Sequence, residues 1–393
     1  MSEANPLTTN ASAASSDTHQ DGSHSHWQLI RLRFARHRMA HFSLYVILAL
    51  YGMAIFAEFF APTTKEWRSV DHIYCPPQRP AFSLKHGLHV VAMQKQKDPI
   101  TFRRYFTKYP DQIVPLGFFV KGEPYKLWGL IPMDLHFFGI KRSPPSNEQT
   151  STADGKVKET VETFYLLGAD KFGQDILSRI IFGSRISLSI GIASILATFL
   201  LGILIGGVSG YLGGRIDNLI QRSIEIINSF PQIPLWLVLG ALVPSEWSPL
   251  RTYFAITIVL SLLNWTGLAR VVRGKLLSLR EEDYAIAARL IGAGHSRVIF
   301  RHLVPGFTSH IIVSLTLSVP AMILGETALS FLSLGLRPPV VSWGVMLQDC
   351  MKFQVLGDHP WVLMPVLFIV IIVLAFNFLG DGLRDAADPY SAQ

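Results

Sequence analysis

The chain has 393 residues, 49% of them hydrophobic and only 16% charged, with a formal net charge of +7. Soluble domains are about a quarter charged, so this composition excludes an ordinary soluble globular protein. The positive balance is explained by the Lys and Arg that membrane proteins keep in cytoplasmic loops, rather than by nucleic-acid binding. Two cysteines are too few for a disulfide scaffold or a Cys-rich metal centre.

The first 26 residues, mostly Ser, Ala, Thr, Asn, His and Asp, lack the apolar core of a secretory signal and read as a disordered tail. His24 and His26 are conceivable metal ligands there, but a solvated polar tail is the better reading. Residues 1–41 thus form an N-terminal tail and a basic segment, "RLRFARHRMAH", holding Arg31, Arg33, Arg36 and Arg38 without an acid. That asymmetry puts the N-terminus in the cytoplasm. A span of about 20 apolar residues crosses the hydrocarbon core, and six windows qualify. The first is Phe42–Phe60, within a 42–62 segment that ends after Pro62. Next comes an extracytoplasmic insertion, 63–165, without a span-length apolar run; loops this long usually carry structure of their own. It includes a polar linker, "SPPSNEQTSTADGKVKE".

Residues 166–393 form the transmembrane core with its loop. "FGQDILSRIIFGSR" (Phe172–Arg185) reads as an amphipathic interfacial helix leading into a Gly/Ala/Ser-rich second span, Ile186–Val208. The third, Leu219–Val243, contains Glu225, Asn228, Pro231 and Pro234 and is expected to kink inside a bundle. Tyr253–Leu268, Ile311–Leu332 and Val362–Leu379 complete the set. Alternation then makes the loop 269–306 cytoplasmic, in agreement with its seven Arg/Lys (Arg270, Arg273, Lys275, Arg280, Arg289, Arg297 and Arg301) against three acids. The C-terminus falls on the same side. Cys75 and Cys350 fall together on the other side, in an oxidising compartment. A bridge between them would pin the insertion to the core; two unpaired thiols, packed as small apolar residues, are the alternative. The chain shows no fixed-period repeat.

Chemistry is sparse. No G-x-x-x-x-G-K-[ST] occurs: Gly274-Lys275 is followed by Leu276, and the cluster Gly206–Gly214 suits helix packing better than phosphate. Asp71, His72, Glu123, Asp134 and His136 of the insertion lack any motif spacing, which leaves a membrane-anchored enzyme poorly supported. A secondary transporter would use charged or unwound sites within its spans; Glu225 and Glu326 are the acids available, and Asn264 and Glu326 are the candidate pathway residues. The loop segment "EEDYAIAARLIGAGHSRVIFRHLVP" is more informative. On a helix, Tyr284, Ala287, Ala288 and Ile291 share one stripe. Glu281, Glu282 and Asp283 suit the helix N-terminus, Gly292 and Gly294 supply a break, and Ser296 is placed to cap a second helix that carries Arg301 and His302 towards Pro305. A stripe built from alanines grips lipid poorly but admits another protein closely, so a docking element is favoured over a surface helix.

"DYAIAARLIGAGHSRVIFRHLVP" resembles the EAA loop in permease subunits of bacterial binding-protein-dependent ABC transporters. The shared features are the pair Ala287 and Ala288, Gly292 and the "RHLVP" ending. "LLGADKFGQDILSRIIFGSRISLSIG", "GYLGGRIDNLIQR", "ETALSFLSLGLRPPVVSWGVML" and "AFNFLGDGLRDAADP" are similar to the C-type subunit of the dipeptide/oligopeptide/nickel branch, as is the segment from Arg31 to Pro62. The resemblance covers residues 27–62 and 165–390. It implies an all-α integral membrane protein of about six transmembrane helices in the bacterial inner membrane, with a cytoplasmic coupling loop and a small extracytoplasmic insertion. Such a subunit is not an enzyme. It works with a second permease subunit, two ATPase subunits that bind ATP and Mg, and an extracytoplasmic solute-binding protein. Asp283, Tyr284, Ala287, Ala288, Ile291, Gly292, His302 and Pro305 would then be the ATPase-coupling residues, with no metal or cofactor held by this chain. The insertion departs from compact members and leaves import of sugar oligomers beside import of peptides.

Overall fold

The computed structural model describes residues 26–100, 102, 104–141 and 163–387. The tail through residue 25 and the linker "SPPSNEQTSTADGKVKE" lie outside the described residues. A short basic helix, α1 (His26–Arg36), precedes α2 (Arg38–Ile55), whose start is capped by His37 Nδ1 accepting from the Ala40 amide at 3.1 Å. After a break at Phe56, α3 (Ala57–Phe60) carries the first span to the insertion.

The insertion is a four-stranded antiparallel sheet in the order β1 (Ala81–Ser83), β2 (Gly87–Lys97), β3 (Arg104–Leu127), β4 (Ile131–Ile140). It packs around Val90, Val114, Leu116 and Phe164. Among the described residues the strands, and with them the departure from an all-α architecture, are confined to this part of the chain. Pro110, Pro115, Pro124, Gly117 and Gly122 interrupt β3, and the ladder shifts register at Val91/Ala92 and again at Lys121/Tyr125. Bulges of this kind erase the period-two pattern by which a strand is recognised in sequence.

The helical core resumes at α4 (Ile176–Leu212), where Asp175 accepts from the Ser178 amide at 2.8 Å. The helix expected at Phe172–Arg185 begins only at Ile176 and is not a separate element. From Ile176 onward those residues belong to one 37-residue helix, with Ile176, Ile180 and Ile181 buried and no breaker before Gly213. Arg185 is accommodated by a double contact with Glu58, 2.7 Å to each carboxylate oxygen, and by the Ala54 and Ile55 carbonyls. Next are α5 (Gly214–Ser229) and α6 (Gln232–Ala241), then α7 (Pro249–Leu279). The helix α7 runs eleven residues past the expected end of its span, because Ala269, Val272 and Leu276 keep one face buried against α4. Residues 269–279 are therefore helix rather than loop.

The short helices α8 (Asp283–Leu290) and α9 (His295–Arg297) follow. A π-helical turn (Val298–Leu303) and a 3-10 turn (Val304–Phe307) then lead into α10 (Thr308–Phe331). Pro305 does not close the segment: it sits in the 3-10 turn, and the rod continues from His295 to Phe331. Two small helices, α11 (Trp343–Met346) and α12 (Phe353–Asp358), precede α13 (Met364–Ala387). Among the described residues five helical stretches are long and apolar enough to cross a membrane, and α5 with α6 makes a sixth if that bent pair is one span. The chain is a multi-pass integral membrane protein.

The tightest seam is α4 against α7. Gly202, Gly206 and Gly210 recur every fourth residue on one face of α4; a Cβ at Gly206 would stand 2.5 Å from the Ala269 carbonyl oxygen and one at Gly210 2.8 Å from that of Arg273. Small residues at this spacing let two backbones approach. His37, Asp385 and the α8–α9 segment share one end of the bundle, and the insertion, the 244–248 turn and α11–α12 share the other. Cys75 and Cys350 are both free thiols. Burial pushes Cys75 up to about 12 and Cys350 up to about 11.

Candidate functional site

At the end opposite the insertion, α8 opens with Asp283 in its first turn, as the helix dipole favours. Ala285 is fully buried against Leu276, Val298 and Leu303, and Ala288 and Ala293 pack on the same cluster. The other face is open: Tyr284 and Ala287 are exposed, as are Leu290 (83%) and Ile291 (87%). Three residues of the expected stripe thus point outward, while Ala288 turns inward. The helix is apolar on both sides, so periodicity alone could not say which side the chain keeps for itself.

Gly292, at φ +90°, ends the helix: its amide donates to the Arg289 carbonyl and that of Ala293 to Ala288, both at 3.0 Å. This paired arrangement requires a left-handed residue. Gly294 instead has φ −64° and stands at the start of α9, so Ser296 lies inside that helix rather than capping it. His295 Nδ1 lies 3.2 Å from the Tyr211 hydroxyl at the end of α4. His302 and Pro305 are exposed, and Pro305 borders an open groove of about 940 Å³ with Gly292, Arg297, Phe300 and Arg301. Exposed apolar side chains on a polar loop mark a contact surface.

Halfway along the bundle the helical path of α5 and α6 breaks. The axes of α5 and α6 differ by 85° across Phe230-Pro231. Pro231 supplies no amide and ends the α5 pattern. Asp217 fixes α5 to α7, 2.5 Å and 2.6 Å from Arg273 Nε and Nη2, and accepts from Ser209 of α4 at 2.5 Å. At the break lies a cavity of about 390 Å³ lined by Asn228, Gln232, Asn264, Thr266, Ser314 and Ser318, among apolar neighbours. Gln232 Nε2 donates to Asn264 Oδ1 at 3.0 Å, and Thr266 Oγ1 to Asn228 Oδ1 at 3.1 Å. Of the two pathway candidates, Asn264 lines this cavity. Glu326 does not: it is fully buried, accepting from Ser187 at 3.0 Å and from Ser330 at 2.9 Å, and it ties α4 to α10. Gln232, Ser314 and Ser318 are lining residues that the sequence reading misses, although polar residues inside apolar spans are a usable signal.

A third space, about 760 Å³, lies between the insertion and the helical core. Tyr125, Lys126 and His136 border it from the sheet, Lys65 and Glu66 from the connection, and Tyr253 from α7. The ring nitrogens of His136 lie 2.7 Å from the Ala61 carbonyl and 3.0 Å from that of Glu123, and Glu123 accepts from Thr64 at 2.6 Å. His72 contacts Ser69 and Thr163 instead, and burial lowers its pKa below the ordinary value. Asp134 faces Lys121 at 3.8 Å. His72, Glu123 and Asp134 thus bond within the insertion, His136 ties it to span one, and among the described residues no group of three or more His, Cys, Asp or Glu could hold a metal.

Comparison with known proteins agrees with this architecture. Residues 198–391 match the family model "Binding-protein-dependent transport system inner membrane component", and residues 25–77 match "N-terminal TM domain of oligopeptide transport permease C". Residues 78–197, which hold the sheet, lie outside both matches. The dipeptide transport system permease protein DppC of Bacillus subtilis is 38% identical over 248 residues, 63% of this chain and 75% of the relative. The oligopeptide transport system permease protein OppC of Haemophilus influenzae is 39% identical over 232 residues, 58% of this chain and 72% of the relative. A solved structure described as inward-facing MetNI methionine ABC transporter aligns with a TM-score of 0.41 and 17% identity, covering 54% of this chain and 97% of that one. The chain therefore belongs to the inner-membrane permeases of binding-protein-dependent transport systems, as a C-type subunit of the dipeptide/oligopeptide branch.

Proposed function

We propose that this chain is one half of a translocation pathway that imports dipeptides or oligopeptides. A second permease subunit completes the pathway, and two ATPase subunits, which hold ATP and Mg, drive it. The carrying observation is the polar cavity at the broken third span. Amides and hydroxyls at mid-depth can exchange hydrogen bonds with a peptide backbone without committing to its side chains. Broken helices commonly mark such sites in transporters. Elsewhere on α5, Arg222 and Glu225 are paired at 2.8 Å and largely exposed, which is costly against lipid and favours a partner or a water-filled path.

The α8–α9 segment is the coupling element. Tyr284, Ala287 and Ile291 dock against an ATPase subunit, Asp283 orders the helix start, Gly292 sets the bend, and His302 and Pro305 border the contact. Ala288 contributes from behind, by seating α8 on its own chain. Both termini and this loop lie in the cytoplasm, a reading supported by the Arg/Lys excess on the basic N-terminal segment and on the loop, which share one end. The insertion faces the solute-binding protein and covers the 760 Å³ vestibule. Sugar oligomers would use the same hydroxyls and amides; the names of the relatives favour peptides, and one, of Pectobacterium atrosepticum, is named for glutathione.

The test is ATP-dependent uptake in proteoliposomes holding this chain with its genomic partners and binding protein. Labelled di- and oligopeptides are expected to accumulate and sugar oligomers are not. ATP hydrolysis by the purified chain alone, or uptake without the ATPase subunits, would overturn the reading.

A further inference from the structure

We propose that the β3–β4 hairpin is a lipid-seated anchor, with its tip, Trp128 to Ile131, among acyl chains of the leaflet on the insertion's side. The inference rests on the membrane embedding of the spans and is independent of the peptide reading.

The depth of the tip is set by span one. Trp128 Nε1 donates to the carbonyl of Ile55 at 2.8 Å, and its ring lies 5.4 Å from that of Phe56. Ile55 closes α2, five residues before the end of α3 at Phe60. At 1.5 Å per residue the tip therefore reaches about 7 Å below the end of the span. Here it extends a surface that is already apolar. Phe42, Tyr45, Leu48 and Ile55 of α2 are each more than half exposed, and Trp128 (50%), Leu130 (79%) and Ile131 (50%) continue the strip. Water would leave this strip the least favourable part of the molecule; acyl chains cover it without a gap.

Two further features suit that environment. The turn satisfies two of its own amides: that of Gly129 donates to the Lys126 carbonyl and that of Leu130 to the Leu127 carbonyl, both at 3.0 Å. This lowers the cost of bringing a β-turn towards hydrocarbon. Higher on the same hairpin Phe119 takes φ +54°, strained for an aromatic residue, yet its ring stays 61% exposed. With Phe118 it forms an aromatic band beside Phe59 at the level where lipid headgroups begin.

The experiment uses the assembled transporter in lipid nanodiscs. With Cys75 and Cys350 replaced by Ala, a bimane label is placed at Leu130→Cys and, as control, at Leu84→Cys, a fully exposed residue beyond β1. Acyl-brominated lipid is expected to quench the label at 130 while aqueous iodide leaves it bright, and the label at 84 is expected to behave in the opposite way. Quenching at 130 by iodide alone would place the tip in water, and quenching by neither would place it under the second permease subunit; either result overturns the proposal. Ile131→Cys repeats the measurement if Leu130→Cys fails to assemble, with the same outcomes.

Discussion

Replacing Gly292 isolates what the coupling segment needs from its backbone. The residue sits at φ +90°, and a Cβ built there meets no atom within 4 Å. Substitution thus brings no clash, only the conformational cost of an L-residue in left-handed space, about 1–2 kcal/mol and at the upper end for a β-branched side chain. At 1.4 kcal/mol per tenfold, about 2 kcal/mol lowers the population of the native bend some 30-fold. Because the strain is confined to an exposed turn, the spans should not feel it. Gly292→Val is expected to cut ATP-dependent uptake by about ten- to thirtyfold, with normal abundance in the membrane and an unchanged melting temperature in detergent. Gly292→Asn, whose side chain tolerates this backbone, should keep most of the activity. Wild-type uptake by the Val variant, or equal damage from Val and Asn, would show that the backbone angle is not what the docking requires.

The two faces of α8 should separate in the same assay. Ala287→Glu changes only the exposed side and should weaken co-purification of the ATPase with the fold intact, whereas Ala285→Glu buries an unpaired charge at a cost of roughly several kcal/mol and should lower the yield of folded chain. Gly206→Val must push α7 off α4 and is expected to destabilise by about 1–3 kcal/mol, read as a fall in melting temperature, while Gly274→Ala, which meets no atom within 4 Å, should be silent. Denatured protein without reductant should yield two reactive thiols per chain, and in the native state Cys75 should resist maleimide. Burial holds the His72 imidazole below its ordinary 6.5, so its contribution to stability is complete above that value and is lost as pH falls through it towards the lower folded value. Thermal unfolding between neutral and mildly acidic pH should show this loss, and His72→Gln should flatten it.

The spans and their grouping were legible because long apolar runs and Arg counts are local properties of a sequence. The bend at Phe230-Pro231 was legible too, since two prolines and an asparagine inside an apolar run interrupt the helix ladder where they stand. The sheet was not: five Pro and Gly residues and two register shifts hide the alternation of β3 and its partners, and only the pairing between strands restores it. The surroundings of Glu326 were hidden for a related reason. An acid within a span reads as functional, but the serines that satisfy it come from positions 187 and 330, and one of those lies 139 residues away. The inward turn of Ala288 depended on Val298 and Leu303, which fold back from beyond the glycine break.

The two ends of the insertion are fastened to one another before the sheet begins. The Thr63 amide and hydroxyl both reach the Ser178 hydroxyl, at 3.1 Å and 3.0 Å, Ser69 donates to the Gly173 carbonyl at 3.1 Å, and Tyr74 to Asp170 at 3.0 Å. The sheet leans on span one through Trp128 and His136, but it branches from a closed ring: the path from span one to span two is already complete without it. Closing such a ring with a shorter stretch changes the loop entropy by only a fraction of a kcal/mol per halving of length, about 0.6. A lineage could therefore lengthen or shorten the sheet between Tyr74 and Asp170 while these hydrogen bonds keep the ends of the membrane helices together. Variation in this stretch among permeases of the same branch can then follow the docking partner and the membrane rather than the stability of the bundle.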